Sequence, residues 1–198
     1  QRDFHTFLML FLLKYSPKCW FPLNNADAIK SDKSVTTSYA YNSVKRAVDS
    51  IADPEEVEFN MAAMPGLLNT SLQDHLINIC EDRGDALAII DLEGGYTPPH
   101  ENTQSAGDRL GSSDTTITNL RDRQMNTSYA CAYYPWVQVK DTINDNFVWV
   151  PPSVIAMGAL SFSENKTELW FAPAGFTRGG LTQGAGGLPV LQARERLT

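Results

Sequence analysis

The run Ala86-Leu87-Ala88-Ile89-Ile90-Asp91-Leu92 constrains this chain more than any other stretch. A continuous apolar segment of strand length suits a strand buried on both faces, the usual place of a central strand in a parallel sheet. Such a strand needs helices as cover. Parallel neighbours in turn need crossover connections of about a dozen residues or more. The flanking sequence supplies both.

Upstream, Val44, Ala47, Val48 and Ile51 fall on one helical face, so a helix is predicted over Tyr41 to Ala52. Asp53-Pro54 stops it, because a residue before proline avoids the α region. Val57 to Met64 reads as a strand ending at Pro65-Gly66. A second helix begins at Thr70-Ser71, either of which can cap it. Its inner face carries Leu72, Leu76, Ile79 and Cys80, and Arg83-Gly84 ends it. Downstream, Gly94 to Pro99 breaks the central strand. A helix from about Asp114 to Met125 and a strand over Tyr129 to Tyr133 follow. Strand, helix, strand, helix, strand implies parallel neighbours and right-handed crossovers. Val137–Lys140 and Phe147–Val150 flank an Asn/Asp-rich turn and read as a hairpin. Pro151-Pro152-Ser153 opens an apolar helix reaching about Phe162. Phe171 to Pro189 reads as a Gly- and Pro-rich loop. The fold class is therefore α/β: a mostly parallel central sheet flanked by helices, with an added β-hairpin. Leu76, Ile79, Cys80, Leu87, Ile89 and Ile90 are expected to be buried together, with Trp149 nearby in the same or an adjoining cluster.

The net charge of −7 excludes a broad phosphate-binding face, so no nucleic acid is expected as a partner. Cys19, Cys80 and Cys131 are odd in number and far apart, which speaks against a disulfide framework or a zinc site. The apolar run Phe7–Leu13 is too short to span a bilayer, and Lys14–Lys18 after it offers no signal-peptide cleavage site. A buried strand or helix is predicted there, and no membrane partner. The chain opens on Gln1 and closes on Arg194–Thr198, which reads like the start of a charged helix; the expectation is a central fragment of a larger multi-domain subunit.

Several blocks share one resemblance. Asp53-Pro54-Glu55-Glu56 followed by Phe59-Asn60-Met61 is one, and Cys80-Glu81-Asp82-Arg83-Gly84-Asp85-Ala86 is another. The longest runs from Tyr133 to Leu181. It holds Tyr133-Tyr134-Pro135-Trp136-Val137, then Val148-Trp149-Val150-Pro151-Pro152-Ser153, then Trp170-Phe171-Ala172-Pro173-Ala174-Gly175-Phe176-Thr177-Arg178-Gly179. In this order they resemble contractile phage tail sheath proteins. The resemblance covers about residues 41–198, an α/β sheath core, and leaves residues 1–40 as an unmatched N-terminal segment. It implies a structural, non-enzymatic subunit that polymerises around a tail tube and contracts to drive the tube through a host envelope. The implied partners are further sheath subunits in stacked hexameric rings, the tail tube protein, the baseplate and the tail terminator. Ring-to-ring joining would use terminal arms that add strands to a neighbour's sheet, and no segment here matches those arms. The implied location is the virion, after assembly in the host cytoplasm.

A different class remains open beside it: an α/β enzyme or small-ligand-binding domain. Asp91 and Glu93 sit at the C-terminal end of the central strand, with His100 soon after. That edge is where ligands bind in parallel sheets, and Asp, Glu and His are metal ligands. Their spacing matches no ligand motif, and a solvated polar loop accounts for them. Gly184-Ala185-Gly186-Gly187 lacks the Lys-Ser/Thr of a phosphate loop and reads as flexible chain. Arg83-Gly84-Asp85 reads as a helix end and not as an integrin tripeptide. The glycosylation-type triplets at Asn69, Asn126 and Asn165 read as chance matches. Ser71 and Ser153 lack a nucleophile-elbow context. His75 is placed on a helix surface. Trp136, Trp149 and Trp170 read as core or interface anchors. No catalytic, cofactor-binding or metal-ligating residue is assigned.

Overall fold

The structure is a computed structural model that describes residues 8–9, 39–92, 113–141, 145–168, 170–175 and 179–193. They fall into two compact units, one within Gln1–Asp91 and Gln124–Ala132, the other within Leu92–Arg123 and Tyr133–Thr198. In chain order the elements are β1 (Leu8–Met9), α1 (Tyr39–Asp49), β2 (Met61–Ala63), α2 (Thr70–Arg83), β3 (Leu87–Asp91), α3 (Ser113–Asp122) and β4 (Ala130–Tyr133). Then come β5 (Val137–Asp141), β6 (Asn146–Val150), α4 (Pro152–Lys166), a 3-10 turn at Leu181–Gln183, and β7 (Val190–Ala193). The predicted α/β class is observed.

The first unit is built on a sheet of order β1-β2-β3-β4. β2 pairs in parallel with β3, Ala62 opposite Ala88 and Ala63 opposite Ile89. β1 pairs in parallel with β2. On the far side, the Ala88 amide donates to Tyr129 O and the Leu92 amide to Tyr133 O; the bonds advance together, as in a parallel pair. Successive strand residues face opposite ways. Ala62, Ala88 and Ile90 take one face and join Tyr41, Val44 and Val48 of α1 and Leu72, Leu76, Ile79 and Cys80 of α2 in a single core. Ala63, Ile89 and Asp91 take the other face and are also buried. β3 is thus closed to solvent on both sides, as its composition predicts.

Three details of the expected core change. Ile89 faces away from the α1/α2 cluster because it alternates with Ile90, and Leu87 is only half-buried at the strand's start. Trp149 is half-buried in β6 and belongs neither to that cluster nor to the Val137, Val139, Ile155 and Val190 cluster. Burial holds the Cys80 thiol up at about 11, so at neutral pH it is a protonated apolar filler.

Helix α2 is defined at both ends by backbone chemistry. Asn69, and not Thr70 or Ser71, is its N-cap: Asn69 Oδ1 accepts from the Leu72 amide at 3.1 Å. Gly84 closes it at φ 69 and donates to Cys80 O. The last helical residue does more. Arg83 is folded inward, its side chain only 1% exposed. Its Nη1 donates to Ile51 O at 2.7 Å and its Nη2 to Val57 O at 3.0 Å. Nε and Nη2 grip both carboxylate oxygens of Asp85 at 2.9 Å. The guanidinium carbon lies 4.1 Å from the centre of the Phe59 ring. One side chain therefore ties the end of α1, the 53–59 loop and the entry to β3. That loop replaces most of the expected Val57–Met64 strand, of which only Met61–Ala63 pairs.

The second unit holds an antiparallel sheet of order β6-β5-β7. The predicted hairpin is present, Val137 opposite Val150 through Asp141 opposite Asn146. Lys140 and Asp145 pair at 2.7 Å, with Asp145 at φ 53 near the turn. α4 starts on Pro152, where a missing N–H costs nothing, and runs on to Lys166, past the expected Phe162. Its Ile155 packs with Val137, Val139 and Val190. β7 is an addition: the stretch before it was expected to be loop throughout, and the strand pairs with β5 across a bulge at Gln138/Val139. No helix among the described residues is long and apolar enough to cross a membrane.

Ile90→Ala empties part of a closed core and should cost about 2–5 kcal/mol in urea unfolding; a loss under about 1 kcal/mol would contradict the burial described. Arg83→Ala strands two carbonyls and should cost about 2–4 kcal/mol, with Arg83→Lys restoring only part, since lysine lacks the planar fork. Arg83 also holds the Asp85 carboxyl below its ordinary 3.8, mainly through their hydrogen bond. A lowered carboxylate value stabilises the fold above the ordinary value, and that contribution fades as pH falls through 3.8 and then the lower folded value. Acid titration of Arg83→Ala should lack this component, which is small because Asp85 is largely exposed.

Candidate functional site

The sequence pointed to the C-terminal end of β3. There the structure places Asp91, 2% exposed. Its Oδ2 accepts the Gly66 amide at 3.1 Å, across the Pro65-Gly66 turn that ends β2. Gln73, on the first turn of α2 and 2% exposed, points its amide nitrogen back to the strand. Its Nε2 donates to Asp91 O and to Leu67 O, both at 2.9 Å. With the Asn69 cap beside them, these residues form a buried polar knot joining the ends of β2 and β3 to the start of α2. A buried carboxylate that accepts a backbone N–H orders a loop, and each such partner must be satisfied when water is excluded. Glu93 and His100 lie outside the described residues. Among the described residues, no three His, Cys, Asp or Glu side chains gather as a metal-binding group.

The other singled-out residues are placed as follows. Arg83-Gly84-Asp85 is the helix end and its clamp. Asn69 of the first glycosylation-type triplet is 1% exposed and spent on capping. Ser153 is buried in the first turn of α4. His75 sits on α2 and shares a hydrogen bond with Asp49 at the end of α1. Trp136 and Trp149 are half-buried, whereas Trp170 is 77% exposed.

That last exposure marks a second candidate region, which sequence reasoning placed only as a general anchor. The Trp170 and Phe171 rings stack at 4.3 Å and 21° on the surface of the second unit. On edge strand β6, Phe147 is 63% exposed and Val148 43%. Neighbouring strand residues face opposite sides, so this edge is open and apolar on both. Leu191 on β7 is exposed as well. Folded monomers usually blunt such an edge with charge, proline or cover. Here Lys140 and Asp145 provide charge only at the hairpin's turn end. An open apolar edge and an exposed aromatic stack are what a protein–protein contact uses.

Asp91→Ala should release the Gly66 amide. We expect a loss of about 1–3 kcal/mol and faster hydrogen exchange at Gly66 and Leu67. Unchanged exchange there would mean that the carboxylate is not what orders the turn.

No family model matches the chain. Among curated proteins it is similar to the tail sheath protein of Enterobacteria phage T4, at 27% identity over 146 residues, or 67% of this chain. That stretch is 21% of the relative, so the chain spans about a fifth of the length of the protein it matches.

Proposed function

We propose that this chain is the α/β core of a structural subunit of a contractile tail sheath, and not an enzyme. The similarity to a tail sheath protein carries the reading. The distribution of apolar surface supports it. The first unit packs most of its buried aliphatic residues into one cluster, and Tyr39 and Tyr129 are its exposed large apolar residues among those described. In the second unit Phe147, Val148, Trp170, Phe171 and Leu191 remain in solvent. A subunit that moves as a rigid body between extended and contracted lattices needs both: a core that does not deform, and a surface that holds neighbours. The Asp91 carboxylate, spent on a loop amide, favours a structural role for the end of β3 over a catalytic one.

In this reading the β6 edge takes a strand from a terminal arm of a neighbouring subunit. Main-chain ladder bonds would supply the strength, and Phe147 and Val148 the apolar contact. Stacked rings, a tail tube inside them, and baseplate and terminator at the ends complete the proposed setting in the virion.

The test is assembly of the full-length protein carrying these residues. Phe147→Asp with Val148→Asp should leave a folded protein that stays soluble on ultracentrifugation where the parent pellets as polymer. A double variant that pellets like the parent would remove β6 from the contact. A parent that never pellets, and instead turns over or retains a small molecule, would overturn the sheath reading itself.

A further inference from the structure

Glycine-rich chain between elements is ordinarily open loop, yet the segment from Gly180 to Gly187 is packed at its centre. Ala185 is 4% exposed and Gly186 is buried. The Gln183 and Ala185 amides both donate to Gly180 O, at 3.0 and 3.3 Å. Gly184 and Gly187, at φ 84 and 85, turn the chain on either side of the buried pair. Between them Gly186 lies directly on helix α4. A Cβ added to Gly158 would stand 2.7 Å from the Gly186 carbonyl carbon and nearer still to its oxygen. A Cβ added to Gly186 would stand 2.6 Å from Ile155 Cγ2 and 3.0 Å from Ile155 O. Neither position has room for a methyl group. Glycine is a poor residue for the middle of a helix, so what Gly158 contributes to α4 is this close approach.

The contact reaches β7. Ile155, on which Gly186 rests, is also the helix residue packed with Val190, the buried side chain of β7. Leu191, Gln192 and Ala193 are exposed, and the ladder to β5 is broken by the Gln138/Val139 bulge. β7 therefore has little hold of its own beyond its hydrogen bonds and Val190.

We infer that residues 180–187 are a strap, latched to α4 by the Gly158–Gly186 backbone contact, and that strap and β7 seat or lift as one cooperative unit. With the strap down, β7 covers the edge of β5. With it lifted, that edge and the Val137/Val139 face behind it are uncovered. The inference concerns the fold of the second unit and holds whether or not the chain builds a sheath.

Hydrogen exchange on the full-length protein, read by mass spectrometry, tests it. Gly158→Ala attacks the latch from the helix and Gly186→Ala from the strap. Gly175→Ala is the control, since a Cβ there meets nothing within 4 Å and only the φ of 88 is strained. Both latch variants should speed exchange about tenfold or more over 184–193 together, and at the β5 amides that pair with β7, while β6, α4 and the first unit keep their protection. The control should not. The inference fails if 190–193 stay protected when 184–187 loosen. It also fails if both variants lose protection across α4 and β6, or if the control behaves alike.

Discussion

Closure of β3 on both faces is the constraint on which the first unit depends. A strand with Ala88 and Ile90 on one side and Ile89 and Asp91 on the other has no wet face. It can sit only between strands and under helices. The small side chains of Ala62 and Ala88 bring α1 and α2 close to the sheet. The cost of such a strand lies at its ends, where polar backbone must leave the core without losing partners. Each end has its own polar lock. At the entry Arg83 collects Ile51 O, Val57 O and the Asp85 carboxylate. At the exit the Asp91 carboxylate and the Gln73 amide collect the turn after β2 and the chain before α2. Both locks draw on α2, which ties the helix to the strand it covers.

The second unit solves a different problem. Its small core of Val137, Val139, Ile155 and Val190 closes one contact between sheet and helix. Phe147, Val148 and the Trp170–Phe171 stack stay in water. Hydrophobic surface of this kind gains free energy only when something covers it. That contrast supports the proposed assembly role, since an exposed apolar sheet edge is a surface that a protein partner can cover.

Much of this was legible in the sequence, for reasons that can be named. β3 was visible because only a doubly buried strand tolerates seven such residues in a row. Helix α2 was visible from the spacing of Leu72, Leu76 and Ile79, and its end from Arg83-Gly84. The hairpin was visible from paired apolar runs around an Asn/Asp turn. What stayed hidden depends on partners distant in the chain. Asn69 outcompeted Thr70 and Ser71 as cap because the helix begins earlier than the hydroxyls suggested, with Thr70 already in its first turn. Arg83 read only as part of a helix end until Ile51 and Val57 came to it. β7 is short and follows a glycine-rich stretch, so no periodicity announces it. The packing of Gly186 on Gly158 leaves no trace in composition, since glycine marks open loops and close approaches alike. At the candidate site, Asp91 was found by position, but its engagement with Gly66 could not be read without the fold.

The central claim is that these residues belong to a polymer-forming tail subunit. Negative-stain electron microscopy of the full-length protein tests it most directly. The account predicts long hollow tubes or stacked rings of regular width, formed by the purified protein. Dispersed globular particles at every protein and salt concentration would contradict it.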